Sequence, residues 1–435
     1  SSVRDWTSPC MRHLPMAEEE HDPATSTAPR DPSADGQAHL KYIRRFLSEG
    51  FVALKKLQEL DAAAALASDE TVEEGTPSSD LDAGGLPKAT LPGLGPDRAG
   101  KLLAACAAEP SLLSAVYWAV CAHVLLGADL PEDLQGRIVD FILRCYCKET
   151  GGFKPHPAHE AQLLATLSAV QVLILLGRED LLLPGTEAVP DPSCAADGGA
   201  GASGQVGFAI SAIARFVHSV RLPGGTFGNR PALRLQGSPC DSTTVDETQV
   251  TQSASEGQIG GEGDSRFVYA ALCALTLLAA LAGSTEALCA SGTETSLEET
   301  SKWLLSCQNL DGGFGCRPNG ACESHAGHTF CCLAGLALSN GLGSMTARNH
   351  ARLLRWLSDR QCPEGGLNGR PGKAPDACYT WWTLASAEVV LSRNLGPSRA
   401  APKMQDLFQL TRLQQFVERC SDLAGGVAPH PEDDP

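Results

Sequence analysis

Residues 362–382 read Cys-Pro-Glu-Gly-Gly-Leu-Asn-Gly-Arg-Pro-Gly-Lys-Ala-Pro-Asp-Ala-Cys-Tyr-Thr-Trp-Trp. The glycine pair at 365–366 ends one helix, and Pro375 predicts the start of the next, because proline is tolerated in a first helical turn. This places Asp376 and Cys378 at a helix N-terminus, where unpaired backbone N–H groups favour a carboxylate and a thiolate. The stretch therefore predicts a glycine turn followed by a helix that begins with two metal-type ligands.

Metal-binding and anion-binding side chains lie close together in this stretch. Asp376 and Cys378 form half of a zinc site, because zinc accepts both oxygen and sulfur ligands and catalytic sites have three protein ligands. Arg370 and Lys373 lie just upstream and Tyr379 follows, so two cations and a phenol are available to a polyanion. The alternative is a plain glycine turn whose helix carries a buried cysteine and an aspartate cap.

Composition predicts a globular protein with an acidic surface. The chain has 435 residues, 43% hydrophobic and 20% charged, which is enough to bury a large core. A formal charge of −17 argues against a nucleic-acid surface, so a phosphate site is expected to be a local basic island. Seventeen cysteines, many inside apolar runs, indicate reduced thiols and a cytoplasmic location. No apolar run is expected to reach the roughly 18 residues of a membrane span.

Several segments lack the pattern of a packed core. Residues 1–37 are rich in Pro, Ser and acidic residues and are expected to be disordered, whereas 39–66 has the spacing of an amphipathic helix. Segments 68–97, 184–204 and 232–263 are rich in Gly, Pro or polar residues and predict flexible surface insertions. The insertions are expected to be solvent-exposed loops without a binding role, and the alternative is that they dock a partner protein.

The rest of the chain predicts paired helices. Apolar helical stretches recur at about 111–127, 136–147, 161–177, 207–220, 265–283, 299–308, 327–341, 348–360, 376–392 and 408–420. A glycine turn separates alternate helices, with its first glycine at 151, 224, 312, 365 and 425. A unit of about 50 residues is typical of a helical repeat. Such pairs stack or close into a ring, and the repeats alone permit an open solenoid or a closed α-α barrel.

The pattern Gly-Gly-Leu-Asn-Gly-Arg-Pro-x-Lys-x-Pro-Asp-x-Cys-Tyr-x-Trp-Trp at 365–382 resembles the zinc-site signature of protein prenyltransferase β subunits, in particular the Rab, or type II, geranylgeranyltransferases. The resemblance covers roughly residues 110–430. It implies an all-α fold, an α-α toroid over residues 38–435 with a disordered tail and inserted loops, and an active site at the mouth of an apolar cavity. Terpenoid cyclases share this architecture but carry an acidic protonation motif that this sequence lacks.

The resemblance implies a diphosphate site. His325 matches the family histidine that contacts the lipid diphosphate, and Arg370, Lys373 and Tyr379 match the residues that hold it with that histidine. Preorganised donors there lower the barrier, because negative charge grows on the leaving oxygens as the carbon–oxygen bond breaks. The alternatives are a helix cap for His325 and a solvated turn for the two cations. His328 matches no family ligand and is expected to be structural.

Asp264-Ser-Arg266 resembles a family Asp-x-Arg whose arginine faces the cavity mouth near the protein substrate. An aspartate cap with a solvated Arg266 is an equal alternative.

The lipid pocket is implied by side-chain size. Ser114 and Leu167 stand where farnesyltransferases carry bulky aromatic residues, so the twenty-carbon geranylgeranyl chain is the expected donor. Trp118, Trp381 and Trp382 are expected to line the cavity, although aromatic residues at helical spacing are more often core.

The third zinc ligand of the family is a histidine in an Asp-x-x-His-Thr stretch that follows the last glycine turn. The sequence ends at Asp433-Asp434-Pro435 before such a stretch, so this ligand is absent, and we expect a truncated C-terminal end. His430 precedes the expected position and is followed by proline, which disfavours it as a ligand.

Together these patterns predict the zinc-dependent catalytic β subunit of a Rab geranylgeranyltransferase. Zn²⁺ is expected as one ion per β subunit, and a Mg²⁺ requirement stays open. The implied partners are an α subunit, a Rab escort protein with Rab GTPases, and geranylgeranyl diphosphate, without nucleic acid or stable membrane insertion. The alternatives are a type I or farnesyl enzyme, a non-catalytic prenyl-binding toroid and, less favoured, a terpenoid cyclase.

Overall fold

The structure is a computed structural model of the chain. It describes residues 109–183, 207–231, 233–234, 258–259, 263–284, 294–392, 402–422 and 425–433, together with 37, 38, 40, 41 and 44.

In the part of the chain that the structure describes, five inner helices form the centre of the fold, and each packs against the next one in the row. Their sequences are apolar on most sides, which is typical of helices buried among other helices. Helix α5 shows how their ends are set: Asp264 caps its start, and Gly283 ends it with a φ of 63°. The inner helices are α1 Leu112–Leu125, α3 Leu163–Leu175, α5 Ser265–Ala282, α7 Ala326–Leu338 and α9 Cys378–Leu391.

Five outer helices alternate with the inner ones along the chain. Each carries one apolar face; in α8, for example, Leu353, Trp356 and Leu357 are buried, while Arg348 and Arg355 are exposed. The outer helices are α2 Glu132–Cys145, α4 Ile210–Ser219, α6 Glu294–Ser306, α8 Ala347–Ser358 and α11 Leu410–Cys420, and the single-turn α10 Met404–Leu407 precedes the last of them. The predicted helix-pair repeat is thus present.

Two short strand pairs are added to the helices. Strand β1 Leu182–Leu183 pairs in parallel with β2 Phe208–Ala209, and β3 Leu233–Arg234 pairs antiparallel with β4 Gln258–Ile259. The second pair lies inside 232–263, the segment expected to be a flexible surface insertion, and this ladder was not predicted from the sequence. Two-residue ladders depend on pairing between distant residues and leave no local periodicity to detect.

Every predicted glycine turn is present and forms the same bridge. In each, a residue at the end of an outer helix pairs antiparallel with the residue that follows the turn: Tyr146 with Phe153, Arg221 with Phe227, Gln308 with Phe314, Gln361 with Leu367 and Ser421 with Val427. At Gly365 φ is 98°, and a Cβ there would lie 2.5 Å from the Arg412 carbonyl oxygen. Glycine is therefore required where the turn meets the next outer helix.

A backbone hydrogen bond joins each inner-helix start from α3 onwards to the next glycine turn. The acceptor is always the carbonyl two residues beyond the bridged residue of that turn. The four bonds run from Leu163 N–H to Asn229 O, from Ser265 N–H to Cys316 O, from Ala326 N–H to Gly369 O and from Ala377 N–H to Pro429 O, at 2.8, 3.0, 2.8 and 2.8 Å. We call these four bonds the repeat links.

Helix α5 corrects one expectation about apolar length. It spans 18 residues with a mean hydropathy of 1.8, which meets the length and composition of a membrane span. It lies between α3 and α7, and half of this window is buried inside the protein. This is the packing of the central helix of a globular core.

Other predictions fall largely outside the described residues. These are the disordered tail 1–37 and the insertions 68–97 and 184–204. Within the predicted helix 39–66 only residues 40, 41 and 44 are described, and all three are helical.

Gly224 and Gly225 offer a matched test of the turn, because their φ values are 76° and 79°. A Cβ at Gly225 would lie 2.6 Å from the Thr300 nitrogen, whereas one at Gly224 meets nothing within 4 Å. Both alanine substitutions carry a left-handed penalty of about 1–2 kcal/mol, and Gly225→Ala adds overpacking of about 1–3 kcal/mol. We expect urea unfolding to show the larger stability loss for Gly225→Ala. Equal losses would contradict the packing of this turn against α6.

Candidate functional site

Three residues singled out by the sequence occupy equivalent positions in the repeat. Asp264, His325 and Asp376 each precede an inner helix, and each side chain accepts a hydrogen bond from the backbone N–H two residues later. The acceptor and donor are Asp264 Oδ1 and Arg266 at 2.8 Å, His325 Nδ1 and Gly327 at 3.2 Å, and Asp376 Oδ1 and Cys378 at 2.8 Å. These caps occupy helix donors that otherwise lack a partner.

His325 contacts Tyr379 through its second ring nitrogen, with 3.2 Å between Nε2 and the phenol oxygen. Because Nδ1 accepts from the Gly327 N–H, the neutral ring carries its hydrogen on Nε2 and donates to Tyr379. The phenol hydrogen then points elsewhere and can be donated to a ligand. Burial, followed by the Arg266 charge, lowers the pKa of His325, so the imidazole is neutral at pH 7.

A cavity of about 370 Å³ brings most of the predicted diphosphate residues together. Arg370 and Lys373 line it, and Arg370 forms an ion pair with Glu323. Burial raises the pKa of Tyr379, so this wall of the cavity offers an uncharged hydroxyl. The lining residues are Gly369, Arg370, Lys373, Ala374, Pro375, Asp376, Tyr379, Pro429, His430 and Asp433.

Asn368 holds the turn that carries the two cations. Its buried amide donates to the Lys373 carbonyl at 3.1 Å, and its Oδ1 accepts from Arg360 at 3.1 Å. The Arg360 guanidinium in turn lies 4.5 Å from the Trp356 ring centroid. This support could not be predicted from the sequence, because an arginine at position 360 is expected at the surface unless its contacts are known.

Arg266 pairs with its own helix cap. Its guanidinium donates to both oxygens of Asp264 at 3.0 and 2.8 Å, while 57% of its side chain stays exposed. Although burial of the carboxyl acts against it, hydrogen bonds from Arg266 hold the pKa of Asp264 below its usual value. These contacts match the alternative of an aspartate cap with a solvated Arg266. The position near the protein substrate stays a prediction.

His328 lies on the same polar cluster. Its Nδ1 lies 3.0 Å from Ser265 Oγ and 4.0 Å from Asp264. Burial lowers the pKa of His328 to about 4. These contacts agree with the structural role expected for this residue.

Asp376 and Cys378 supply two donors suited to zinc, but the expected thiolate is not favoured by the protein alone. Partial burial of the sulfur, followed by the Asp376 carboxylate, raises the pKa of Cys378 to about 12, which corrects the prediction from the helix terminus. A nearby cation would relieve this repulsion, so the pair fits part of a zinc site. Among the described residues no third His, Cys or acidic ligand joins the pair, and His430 lies instead 5.9 Å from the Phe416 ring centroid.

The predicted lipid residues divide between the core and exposed surface. Leu167 is buried, and Ser114 Oγ lies 3.1 Å from Ser168 Oγ between α1 and α3. Trp118 and Trp381 are 66% and 45% exposed, which is typical of a surface that receives an apolar ligand.

An aromatic row that includes Trp381 and Trp382 crosses α5, α7 and α9. The Phe330 ring lies 5.5 Å from Tyr269, 6.4 Å from Trp381 and 5.2 Å from Trp382. The sequence analysis named both tryptophans but missed Tyr269 and Phe330. It also missed a separate cluster of Glu109, His156 and His159.

The described helices form pairs around a row of apolar inner helices, and the candidate site lies at the N-terminal ends of that row. Sequence comparison matches residues 101–435 to the prenyltransferase alpha-alpha toroid domain. The chain therefore belongs to this family, which confirms the resemblance and the fold class. The match begins well after residue 38, so the proposed domain start remains a prediction.

Relatives are named as β subunits of several prenyltransferases. The geranylgeranyl transferase type-2 subunit beta of Saccharomyces cerevisiae is 32% identical over 324 residues, 74% of this chain and 76% of its own length. That of Candida albicans is 30% identical over 72% of each chain. The protein farnesyltransferase subunit beta of Schizosaccharomyces pombe is 35% identical over 39% of this chain and 41% of its own.

A solved structure, Candida albicans protein geranylgeranyltransferase-I complexed with GGPP, superposes with a TM-score of 0.52. It covers 76% of this chain and 82% of its own at 19% identity, and so supports the fold alone.

The lowered pKa of His328 makes stability depend on pH. Unfolded histidine titrates near 6.5, so between pH 6.5 and about 4 the unfolded state binds more protons and stability falls with decreasing pH. We expect wild type to lose up to about 3 kcal/mol more than His328→Asn over this range. Urea unfolding at pH 7 and pH 4.5 measures this difference, with His430→Asn as control. Parallel losses in all three proteins would contradict a buried neutral His328.

Proposed function

We propose that the chain is the catalytic β subunit of a type II, or Rab, protein geranylgeranyltransferase. The observation that carries the proposal is the convergence of Arg370, Lys373, Asp376 and Tyr379 on one cavity, with His325 bonded to Tyr379. The two type-2 β subunits that align over most of their length support the type. The reaction transfers a geranylgeranyl group from its diphosphate to C-terminal cysteine thiols of Rab GTPases.

The chain's own residues would stabilise the leaving diphosphate. Arg370 and Lys373 supply fixed positive charge, and the Tyr379 hydroxyl supplies a neutral donor held in place by His325. As the carbon–oxygen bond breaks, these donors meet growing negative charge without reorganising. Each such donor contributes about 2.7–4 kcal/mol in comparable sites.

Asp376 and Cys378 are the residues that would hold zinc. Bound zinc would supply a positive charge that favours the thiolate form of the acceptor cysteine. The donor set of one carboxylate and one thiol fits two of three protein ligands. A requirement for Mg²⁺ is not part of this proposal.

The aromatic row supports an isoprenoid donor. It runs along adjacent inner helices from Tyr269 through Phe330 to Trp381, which would give a long apolar chain a continuous surface. Ser114 and Leu167 are small enough to leave space for a fourth isoprene unit. We therefore propose geranylgeranyl diphosphate as the donor.

The proposal implies partners and a location. A helical α subunit would complete the heterodimer, in keeping with the β-subunit names of the relatives. An escort protein would present the Rab tail. The cysteines in the described part of the chain are unbridged, which supports a cytoplasmic location.

A second candidate is a farnesyl or type I enzyme, which the 35% identity to a farnesyltransferase β subunit over 175 residues favours. A non-catalytic prenyl-binding toroid is a third, because only two zinc ligands come together in the described chain.

Transfer assays on the chain with an α subunit distinguish these candidates. We expect geranylgeranyl transfer to a Rab presented by its escort protein, with farnesyl diphosphate a poor donor. Cys378→Ser should remove transfer and one bound zinc together, with Cys362→Ser as the matched control. Transfer to a CaaX peptide without escort protein would favour the second candidate, and donor binding without transfer would favour the third.

Because Arg370 and Glu323 form an ion pair, substitutions of these two residues are expected to affect the diphosphate site in opposite directions. Arg370→Gln is expected to lower the transfer rate by about 10²-fold or more. Glu323→Gln is expected to tighten geranylgeranyl diphosphate binding, because it removes a competing carboxylate. Arg355→Gln and Asp359→Asn, from a surface pair at 3.8 Å on α8, are the controls. Weaker diphosphate binding in Glu323→Gln would contradict this arrangement.

A further inference from the structure

Glu109, His156 and His159 form a cluster remote in sequence from the site described above. One potential ligand atom from each lies within 4.8 Å of the other two. The His159 Nε2 lies 3.1 Å from Glu109 Oε2, and the His156 Nδ1 lies 3.9 Å from the same oxygen. Tetrahedral ligands at about 2.0–2.1 Å from zinc lie roughly 3.3 Å apart, so these distances bracket a metal-bound geometry.

The backbone brings the two imidazoles together before any ion binds. Residues His156-Pro157-Ala158-His159 form a turn closed by a 3.0 Å hydrogen bond from the His159 N–H to the His156 carbonyl. Proline at the second position suits such a turn because its φ is already fixed. Little side-chain or backbone ordering is then needed to bind a cation.

The cluster is also shielded from water to a degree unusual for a surface contact. His156 is 3% exposed, and the side chains of His159 and Glu109 are 27% and 18% exposed. Burying a carboxylate costs free energy unless a charge or donor compensates it. His159 can do so as a hydrogen-bond donor, whereas the His156 Nδ1 lies 3.9 Å from the carboxylate and accepts from the Ala158 N–H at 3.4 Å. A divalent cation, bound by both rings, would compensate the carboxylate more completely.

The position within the repeat points the same way. In each repeat a short segment links the bridged turn residue to the start of the next inner helix. The segment after Phe153 carries His156 and His159, and the equivalent segment after Leu367 carries Arg370 and Lys373. Equivalent segments thus present polar side chains at the N-terminal ends of the inner helices. In the first of them the side chains are two imidazoles, which are of a type that binds transition metals.

We infer that Glu109, His156 and His159 form a second metal site, which binds a divalent first-row transition ion, zinc in the cell. Two imidazoles and one carboxylate make a donor set that zinc uses widely, and hard cations such as Mg²⁺ prefer oxygen alone. The site joins Glu109, just before α1, to the segment before α3. Its ion stabilises the start of the helix row, whereas Asp376 and Cys378 lie at the start of α9.

Cobalt titration of the full chain tests this inference, with Cys378→Ser as background to remove the proposed catalytic site. We expect one Co²⁺ per chain, with visible d–d bands and no near-ultraviolet thiolate-to-cobalt charge-transfer band. Zn²⁺ should displace it and raise the Tm. In the same background, Glu109→Gln and His159→Gln should each weaken Co²⁺ binding by about 100-fold or more, since even outer-shell changes cost 10–100-fold.

His218→Gln, which changes a histidine on α4, is the matched control and should bind Co²⁺ as the background does. Far-ultraviolet circular dichroism shows whether each variant folds. If one of the two ligand variants fails to fold, the other still tests the site. Equal Co²⁺ affinity in the background and both ligand variants would overturn the inference. The inference would also be overturned if the folded Cys378→Ser protein showed no d–d bands of bound Co²⁺, or showed them together with a thiolate-to-cobalt charge-transfer band.

Discussion

The rest of the structure depends on the repeat link. This is the hydrogen bond from the N-terminus of an inner helix to the carbonyl beyond the next glycine turn. The first N–H groups of any helix have no partner within it. Here the next repeat provides one, as in the bond from Ala326 to Gly369. Since every link uses the same positions, the start of each helix is fixed against the following turn. Asp264, His325 and Asp376 are thereby held at corresponding places along the row.

Much of the fold could be predicted because its signals are local. Apolar periodicity identified the inner and outer helices, and paired glycines identified all five turns, since their backbone must approach a neighbouring helix. The ladder between Leu233–Arg234 and Gln258–Ile259 could not be predicted, because two-residue strands have no period of their own. The link from Ala377 to Pro429 was also invisible, because it uses backbone atoms that no side chain reveals.

The candidate site was predicted in its residues but not in its electrostatics. The motif placed Asp376 and Cys378 at a helix start, yet burial and the adjacent carboxylate outweigh the helix terminus and keep the thiol protonated. Arg370 was expected to present a cation, and its partner Glu323, 47 positions earlier, could not be paired with it from sequence. Such long-range contacts follow from the fold, and they decide the charge that a ligand meets.

Lys373 adds a positive charge to the cavity, but the other donors there carry no free positive charge, which affects which ligands the cavity can select. His325 is neutral, Tyr379 is an uncharged phenol, and Arg370 is already paired with Glu323. An exposed ion pair is worth only about 0–1 kcal/mol, whereas a phosphate group accepts two charge-assisted bonds from one guanidinium. A diphosphate can therefore displace Glu323, while a single carboxylate gains little by replacing another. On a protein of charge −17, this exchange would favour a compact polyanion over the many acidic groups nearby.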